Sequence, residues 1–256
     1  MAPSGTAVRL AALSRHNATL MLREPGPVLS RLIMPLVMIV LLRPLYLSAL
    51  ARHGVQAGTV QVVTGMLVMF SLLALSVVGT AILTERTWRT WDRLRATPAR
   101  SGELLATKAL PGFGMLAVQQ AEVLLFGVVA FGLRIADPIL LAAAVLSWAL
   151  ALLGIGTALG ATLRSQSELN MAYDIGGVLL SALGGALVPL SVLPRWAQAA
   201  APVSPGYWAM SALRAAVAGQ AGPALRAMAV LVAVAAVTTA LGAWRITRGW
   251  ARSTHL

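Results

Sequence analysis

One acidic residue and two amides lie within an otherwise apolar stretch of the chain. The run from Ala109 to Leu133 contains a single charged residue, Glu122, which follows Gln119 and Gln120. A carboxylate in such a run can bind a cationic group of a cargo molecule, carry a proton, or hydrogen-bond to a neighbouring helix. The sequence leaves a cargo contact and a structural hydrogen bond open, with Arg43 as one partner that Glu122 could reach.

Residues for acid–base or nucleophilic catalysis are sparse. The chain has no Cys, and its three His residues, His16, His53 and His255, lie outside the apolar runs. Its single lysine, Lys108, is followed by Ala and lies in no glycine-rich loop, which excludes a P-loop. Neither Gly-x-Ser-x-Gly nor His-Glu-x-x-His occurs. We therefore expect a chain without catalytic or metal-binding residues, and we disfavour an intramembrane enzyme.

Apolar runs long enough to cross a bilayer must position these residues. Hydrophobic residues occupy 58% of the 256 positions, charged residues occupy 11%, and the mean hydropathy is +0.80. A spanning helix needs about 20 apolar residues, and runs that are apolar throughout favour helices over barrel strands. We predict an all-α membrane protein with six transmembrane helices, at about residues 29–50, 60–83, 109–133, 138–163, 172–194 and 224–244.

The distribution of basic residues predicts the orientation of these helices. Fourteen of the 20 Lys and Arg residues fall in the N-terminal stretch, the segment 84–108, the turn 163–170 and the C-terminal tail. Cytoplasmic connections carry such an excess, so we predict that the protein crosses a cell membrane with both chain ends cytoplasmic. The net charge of +12 then reflects topology and attraction to anionic lipids, and we expect no nucleic-acid partner.

Two stretches on the predicted cytoplasmic side have helical patterns of their own. Residues 7–22 show a weak apolar periodicity that predicts an interfacial helix, with a disordered basic tail as the alternative. In the segment 84–108, Trp88 and Trp91 recur at helical spacing, and Pro98 should end the helix that carries them. We expect a second helix to begin at Ser101 and to continue into the third span.

The fifth predicted span and the outer segment 195–222 contain residues that interrupt helices. Pro189 and Pro194 cannot continue a regular helix, and glycine pairs at 176–177 and 184–185 permit close packing or an unwound turn. The fifth span should therefore be deformable. Beyond it we predict two short re-entrant outer helices, at 195–201 and 205–218, with an ordinary outer loop as the alternative.

Two groups of residues resemble the motifs of a known family. The first group comprises Glu85-Arg86, Thr90, Asp92, Leu94, Arg95-Ala96-Thr97-Pro98, Glu103-Leu104-Leu105 and Lys108. The second comprises Gly184-Gly185, Pro189, Leu193-Pro194, Ser204-Pro205 and Tyr207-Trp208. Their order is similar to that of ABC-2 type permeases, the membrane subunits of ATP-binding-cassette exporters, and resembles most the daunorubicin-resistance type of bacterial drug exporter. Arg89 stands where the family usually has Gly.

This resemblance implies a function and a set of partners. Residues 1–256 would form a single ABC-2 type transmembrane domain and half of a translocation path, completed by a second permease that is identical or related. A separate P-loop ATPase, in two copies per transporter, would bind ATP and Mg²⁺, and this chain would bind no cofactor. The cargo would be a drug or another amphipathic small molecule. Alternatives are a lipid or cell-envelope glycan as cargo, or an ion-coupled secondary transporter.

The resemblance also assigns roles to particular residues. The segment 84–108 would couple the permease to the ATPase, and the turn 163–170 and the N-terminal helix would be secondary contacts. The expected coupling residues are Glu85, Arg86, Trp91, Asp92, Arg93, Leu94, Arg95, Thr97, Pro98, Glu103 and Lys108. The candidate substrate path comprises Glu122, Gly184, Gly185 and Pro189.

Overall fold

The computed structural model describes residues 25–76, 79, 80, 83 and 101–249 of the chain. Within these residues the regular structure consists entirely of helices. The α-helices are α1 Pro25–Ala49, α2 Val55–Leu73, α3 Ser101–Phe131, α4 Pro138–Thr162, α5 Gln166–Leu183, α6 Arg195–Ala200, α7 Pro205–Val217 and α8 Ala221–Gly249. Short 3-10 turns occupy Ala51–His53, Leu190–Val192 and Ala201–Val203.

Five of the described helices are long and apolar enough to cross a membrane. They contain the segments Val28–Ala49, Val55–Leu73, Gly112–Phe131, Pro138–Thr162 and Ala221–Arg245. Helix α5 is not among them, because its first half carries Glu168, Asn170 and Asp174. The prediction of an all-helical membrane protein is confirmed, and the sixth span stays a prediction.

Side-chain and backbone contacts define the two ends of the helical bundle. At one end, Gln56 Nε2 donates to the Gly132 carbonyl at 3.1 Å, and Ala136 N donates to the Val217 carbonyl at 2.9 Å. We call this the α7 end, because the start of α2, the α3–α4 loop and α7 meet there. At the opposite end, Gln166 Nε2 donates to Thr80 Oγ1 at 2.9 Å. We call this the Thr80 end.

Helices α4 and α8 pack against each other through small residues. A Cβ atom placed on Gly154 of α4 would lie 2.8 Å from the Ala235 carbonyl oxygen of α8. A Cβ on Gly242 of α8 would lie 2.9 Å from Thr157 Cγ2 of α4. In lipid, no hydrophobic effect drives helices together, because lipid tails are as apolar as the side chains. Membrane helices associate instead through van der Waals contact, which small residues increase by letting the backbones approach closely.

The bounds of α5 differ from the predicted span at both ends. The prediction placed the span at 172–194, but the helix begins six residues earlier, because Ser165 Oγ accepts from Glu168 N at 3.1 Å and Glu168 Oε2 accepts from Arg164 N at 2.9 Å. This reciprocal capping satisfies donors that the first turn would leave free. The helix ends at Leu183, so the residues from 184 to 194 do not continue it.

Other predicted boundaries shift for local reasons. The second span was predicted at 60–83, but α2 begins at Val55, directly after Gly54, and ends at Leu73. Residues 55–59 are therefore helical. The predicted outer helices at 195–201 and 205–218 are confirmed as helices, as α6 and α7, to within one residue at their ends.

The α4–α8 contact can be tested with a substitution at Gly154. We expect Gly154→Leu to destabilise the protein by about 1–3 kcal/mol or more, because the side chain has to displace the backbone of α8. Gly114→Leu is the matched control, since a Cβ on Gly114 in α3 meets no atom within 4 Å. Melting in detergent should show a lower Tm for Gly154→Leu alone, and equal melting of the two variants would contradict this packing.

Candidate functional site

Helix α5 ends in a turn that redirects the chain inside the bundle. Gly185 has a φ of +79°, a conformation that suits glycine because it lacks a Cβ. Ala186 N donates to the Ser181 carbonyl at 2.9 Å, and Gly185 N donates to the Ala182 carbonyl at 3.1 Å. These two bonds form a Schellman motif, which closes the helix. We call the non-helical residues 184–189 the break.

Side chains of α1 and α2 hydrogen-bond to the carbonyl groups of the break. Gln61 Nε2, on α2, donates to the carbonyls of Gly185 at 3.0 Å and Ala186 at 3.3 Å. The Tyr46 hydroxyl, on α1, donates to the Leu187 carbonyl. Gln61 is buried, so no solvent competes for these bonds. Irregular backbone at membrane depth persists only where protein groups or a water-filled cavity satisfy it.

Two glycines bring the break close to its neighbours. A Cβ on Gly65 of α2 would collide with the Ala186 carbonyl oxygen. A Cβ on Gly184 would lie 2.6 Å from the backbone nitrogen of Tyr207 in α7. Each position therefore requires glycine for close approach, and the break lies between the backbones of α2 and α7.

Helix α7 packs into the core beside the break. Ser204 caps this helix, since its Oγ accepts from Gly206 N at 3.1 Å, and the same hydroxyl donates to the Leu180 carbonyl of α5 at 2.6 Å. Met210 and Leu213 of α7 are fully buried. The alternative of an ordinary outer loop is therefore wrong for residues 205–217, while their re-entry into the membrane stays a prediction.

A cavity of about 520 Å³ opens at the α7 end of the break. Its polar wall contains Gln56, Gln61, Arg134 and Arg214, and the break contributes Pro189. The remaining lining is apolar, from Leu50, Ala57, Val60, Leu190, Val217 and Ala218, apart from Ser191. A second cavity of about 400 Å³ shares Leu190, Arg214 and Ala218 with it. Three of the predicted path residues, Gly184, Gly185 and Pro189, lie in the break, and Pro189 lines the cavity.

The fourth predicted path residue, Glu122, lies elsewhere. The neighbouring Gln120 donates through Nε2 to Ser71 Oγ at 3.1 Å, and Ser71 lies ten residues along α2 from Gln61, a distance of roughly 15 Å. The buried Glu122 Oε2 has no hydrogen-bond partner in the described part of the chain. On the same stripe of α3, Val118, Leu125 and Val129 are 56%, 65% and 75% exposed. Glu122 therefore lies on a face of α3 that the described residues leave exposed, away from the break.

The proposed pairing of Glu122 with Arg43 is wrong. The Arg43 guanidinium lies over the ring of Phe131, with Cζ 4.5 Å from the ring centroid. Phe131 is the last residue of α3, nine residues after Glu122, which corresponds to roughly 13 Å along the helix. The two depths do not match. Gln119 instead links α3 to α1, by donating to the Arg31 carbonyl at 3.1 Å.

Most of the predicted coupling residues lie outside the described part of the chain, and so does the predicted N-terminal helix. This applies to Glu85, Arg86, Trp91, Asp92, Arg93, Leu94, Arg95, Thr97 and Pro98. Glu103 and Lys108 fall in the first turns of α3, whose backbone is helical from Ser101 as expected. No group of three or more His, Cys, Asp or Glu residues suited to a metal ion occurs among the residues that the structure describes.

Several residues of the site did not follow from the sequence patterns. Gln61 carried a signal, as the only Gln in a run from 60 to 83 that lacks charged residues. No comparable signal in the sequence marked Tyr46 or Arg214, because their roles depend on the position of the break. Asp174 lies eight residues into α5 and is exposed there.

Comparison with known proteins agrees with this arrangement of helices and motifs. The model of the ABC-2 type transporter family matches residues 9–218. The linearmycin resistance permease protein LnrN of Bacillus subtilis (strain 168) is 26% identical over 194 residues, which are 75% of this chain and 50% of that protein. The chain thus spans about half the length of this curated relative. Because the family model covers well over half of the chain, this multi-pass membrane protein belongs to the ABC-2 type transporter family.

Proposed function

We propose that this chain is the membrane subunit of an ATP-driven exporter of drugs or other amphipathic small molecules. The observation that carries the proposal is the break in α5, which is held by Gln61 and Tyr46 and adjoins a mainly apolar cavity. Interrupted helices beside a cavity are typical of the binding sites of membrane transporters. The name of the relative, a linearmycin resistance permease, agrees with a drug as cargo.

The proposed orientation places the α7 end outside and the Thr80 end in the cytoplasm. Helix α5 and the break together form the proposed sixth crossing, and both chain ends are cytoplasmic. The described helices support this, because a short connection at the α7 end joins α1 to α2 and another joins α3 to α4. The excess of basic residues in 84–108 and in the C-terminal tail falls at the Thr80 end under this topology.

A separate ATPase, in two copies and carrying ATP and Mg²⁺, would dock on the segment 84–108. The hydrogen bond from Gln166 to Thr80 brings the start of α5 close to the residues that precede this segment. Helix α3 follows the segment directly and runs without interruption for 31 residues, roughly 46 Å. Movement of the segment would thus be transmitted along α3 to the loop that carries Arg134.

A second permease, identical or related, would complete the path. Helix α5 packs mainly on α2 and leaves a face uncovered, on which Met171, Ile175 and Leu179 are 58%, 56% and 62% exposed. Asp174 lies on the same face. A carboxylate on a spanning segment faces protein or water rather than lipid. A path between two copies of α5 would surround Asp174 with protein and water.

An ion-coupled secondary transporter is the competing function, and the partnerless Oε2 of Glu122 favours it. Asp174, exposed midway along α5, adds a second carboxylate. Reconstitution in vesicles without any ATPase separates the two functions. Cargo movement driven by a proton gradient would support the secondary transporter, and movement that requires ATP and the ATPase would support the exporter.

Coupling can be tested by removing charge from the segment 84–108. We expect the triple variant Arg86→Gln, Arg93→Gln and Arg95→Gln to lose co-purification with the ATPase. The matched control changes three exposed arginines predicted on the opposite side, Arg52, Arg195 and Arg226, to Gln. Loss of the complex in both variants, or in neither, would argue against the assignment of the coupling segment.

The role of Glu122 is tested by Glu122→Gln. If this carboxylate contacts cargo, the variant should assemble normally and should export cationic cargo several-fold more slowly, while export of a neutral amphipathic cargo is retained. Transport assays with one cargo of each charge provide the measurement. Unchanged export of both would exclude the cargo contact.

Gln61→Met tests the support of the break. The substitution keeps the volume and removes the donor, so two buried carbonyls lose their partner at a cost of about 1–3 kcal/mol. We expect a lower Tm and a large fall in transport. Gln198→Met is the control, since Gln198 Nε2 donates to the Leu193 carbonyl at 2.8 Å from an exposed position. If both variants transport equally well, Gln61 does not hold the break in its active form.

A further inference from the structure

The cavity beside the break has one cationic side. Arg214, on α7, and Arg134, in the α3–α4 loop, both line it. Arg214 Nη2 is buried and makes no hydrogen bond within the described residues. Arg134 is exposed, and only its backbone N–H is engaged, with Gln56 Oε1 at 3.5 Å. The guanidinium groups thus present unused donors to the cavity.

No described carboxylate forms an ion pair with either of these two arginines. Among the described residues of the α7 end, the single acid is Asp137, and its Oδ1 accepts from Leu140 N at 2.9 Å as the cap of α4. Tyr46, the nearest hydroxyl on α1, donates its proton to the Leu187 carbonyl. The buried Nη2 of Arg214 is a charged donor without a partner among the described residues, which is destabilising. A negative group from outside the chain would supply the missing partner.

The rest of the cavity determines the kind of anion that fits. One wall of the cavity is apolar and consists of Leu50, Val60, Leu190 and Val217. The side chains of Gln56 and Gln61 add uncharged polar groups to the lining. A volume of about 520 Å³ accommodates a small head group with a short hydrocarbon chain. A free inorganic ion would leave the apolar wall uncovered.

We propose that this cavity binds amphipathic anions, with a phosphate, sulfate or carboxylate head on Arg214 and Arg134 and the apolar part against Leu50, Val60 and Leu190. Guanidinium groups suit such heads, because they offer paired donors to planar or tetrahedral oxyanions. The inference rests on the proposed function only for placing the cavity on the outer side. There the anion would be either departing cargo or the head group of an outer-leaflet lipid.

Binding of octyl phosphate to the purified full chain, measured by calorimetry in a neutral detergent, tests the proposal. We expect Arg214→Gln to weaken binding by about tenfold, the loss of one charge-assisted contact, and Arg134→Gln to weaken it less. Arg226→Gln, an exposed arginine of α8 that does not line the cavity, should bind as the unaltered chain does. Octyltrimethylammonium and inorganic phosphate should bind at least tenfold more weakly than octyl phosphate.

The proposal is overturned if the unaltered chain, Arg214→Gln and Arg134→Gln bind octyl phosphate with equal affinity. It is also overturned if the unaltered chain binds octyltrimethylammonium as tightly as octyl phosphate. If Arg214→Gln fails to fold, Arg214→Lys replaces it in the test. This variant keeps the charge and should retain most of the binding. Repeating the titration in nanodiscs distinguishes the two sources. If phosphatidylglycerol competes with octyl phosphate and phosphatidylcholine does not, the natural ligand is a lipid head group. If neither lipid competes, the natural ligand is cargo.

Co-purification with the ATPase separates this inference from the proposed function. If Arg214→Gln and the unaltered chain both bind the ATPase but neither binds octyl phosphate, the anion site is wrong and the exporter assignment stands. If octyl phosphate binds with the expected dependence on Arg214 and no ATPase associates, the exporter assignment fails and the anion site stands.

Discussion

Backbone carbonyls within a bilayer need a hydrogen-bond partner, and this requirement shapes the centre of the molecule. Helix α5 stops at Leu183, and the carbonyls of the three residues Gly185, Ala186 and Leu187 would otherwise be unpaired. Gln61 and Tyr46 satisfy them from two other helices. The position of α2 relative to α1 and α5 therefore depends on these few polar contacts, because apolar packing alone does not distinguish one helix register from another in lipid.

The close contacts around the break extend this dependence to α7. Gly65 and Gly184 allow the backbones of α2 and α7 to approach the break, and Ser204 caps α7 while it hydrogen-bonds to the last turn of α5. Any shift of the break would thus disturb three helices. In contrast, α4 and α8 pack tightly through glycine and threonine and contain no comparable interruption. The bundle combines a closely packed pair of helices with a polar region in which a helix is interrupted.

The charges of the molecule are distributed in keeping with this division. At the α7 end Arg43 lies over Phe131, while Arg134 and Arg214 line a cavity without an acidic partner in the described residues. Glu122 and Asp174 instead lie on helix faces that the described residues leave exposed. Ionisable groups within spanning segments are costly unless they face protein or water. Under the proposed function, a second permease or the translocation path would cover these two faces.

The sequence by itself determined the class of the protein, five apolar segments long enough to span a membrane, the family motifs and the helix interruption at 184–189. These properties follow from hydropathy, from Pro and Gly at particular positions, and from charges beside the spans, all of which are local. Only the tertiary structure decided that Gln61 meets carbonyls 124 and 125 residues away, that Arg43 lies over Phe131 rather than beside Glu122, and that Arg214 lines the cavity. The spacing of residues along one chain cannot predict such contacts, because the depth and rotation of each helix are set by the neighbours against which it packs.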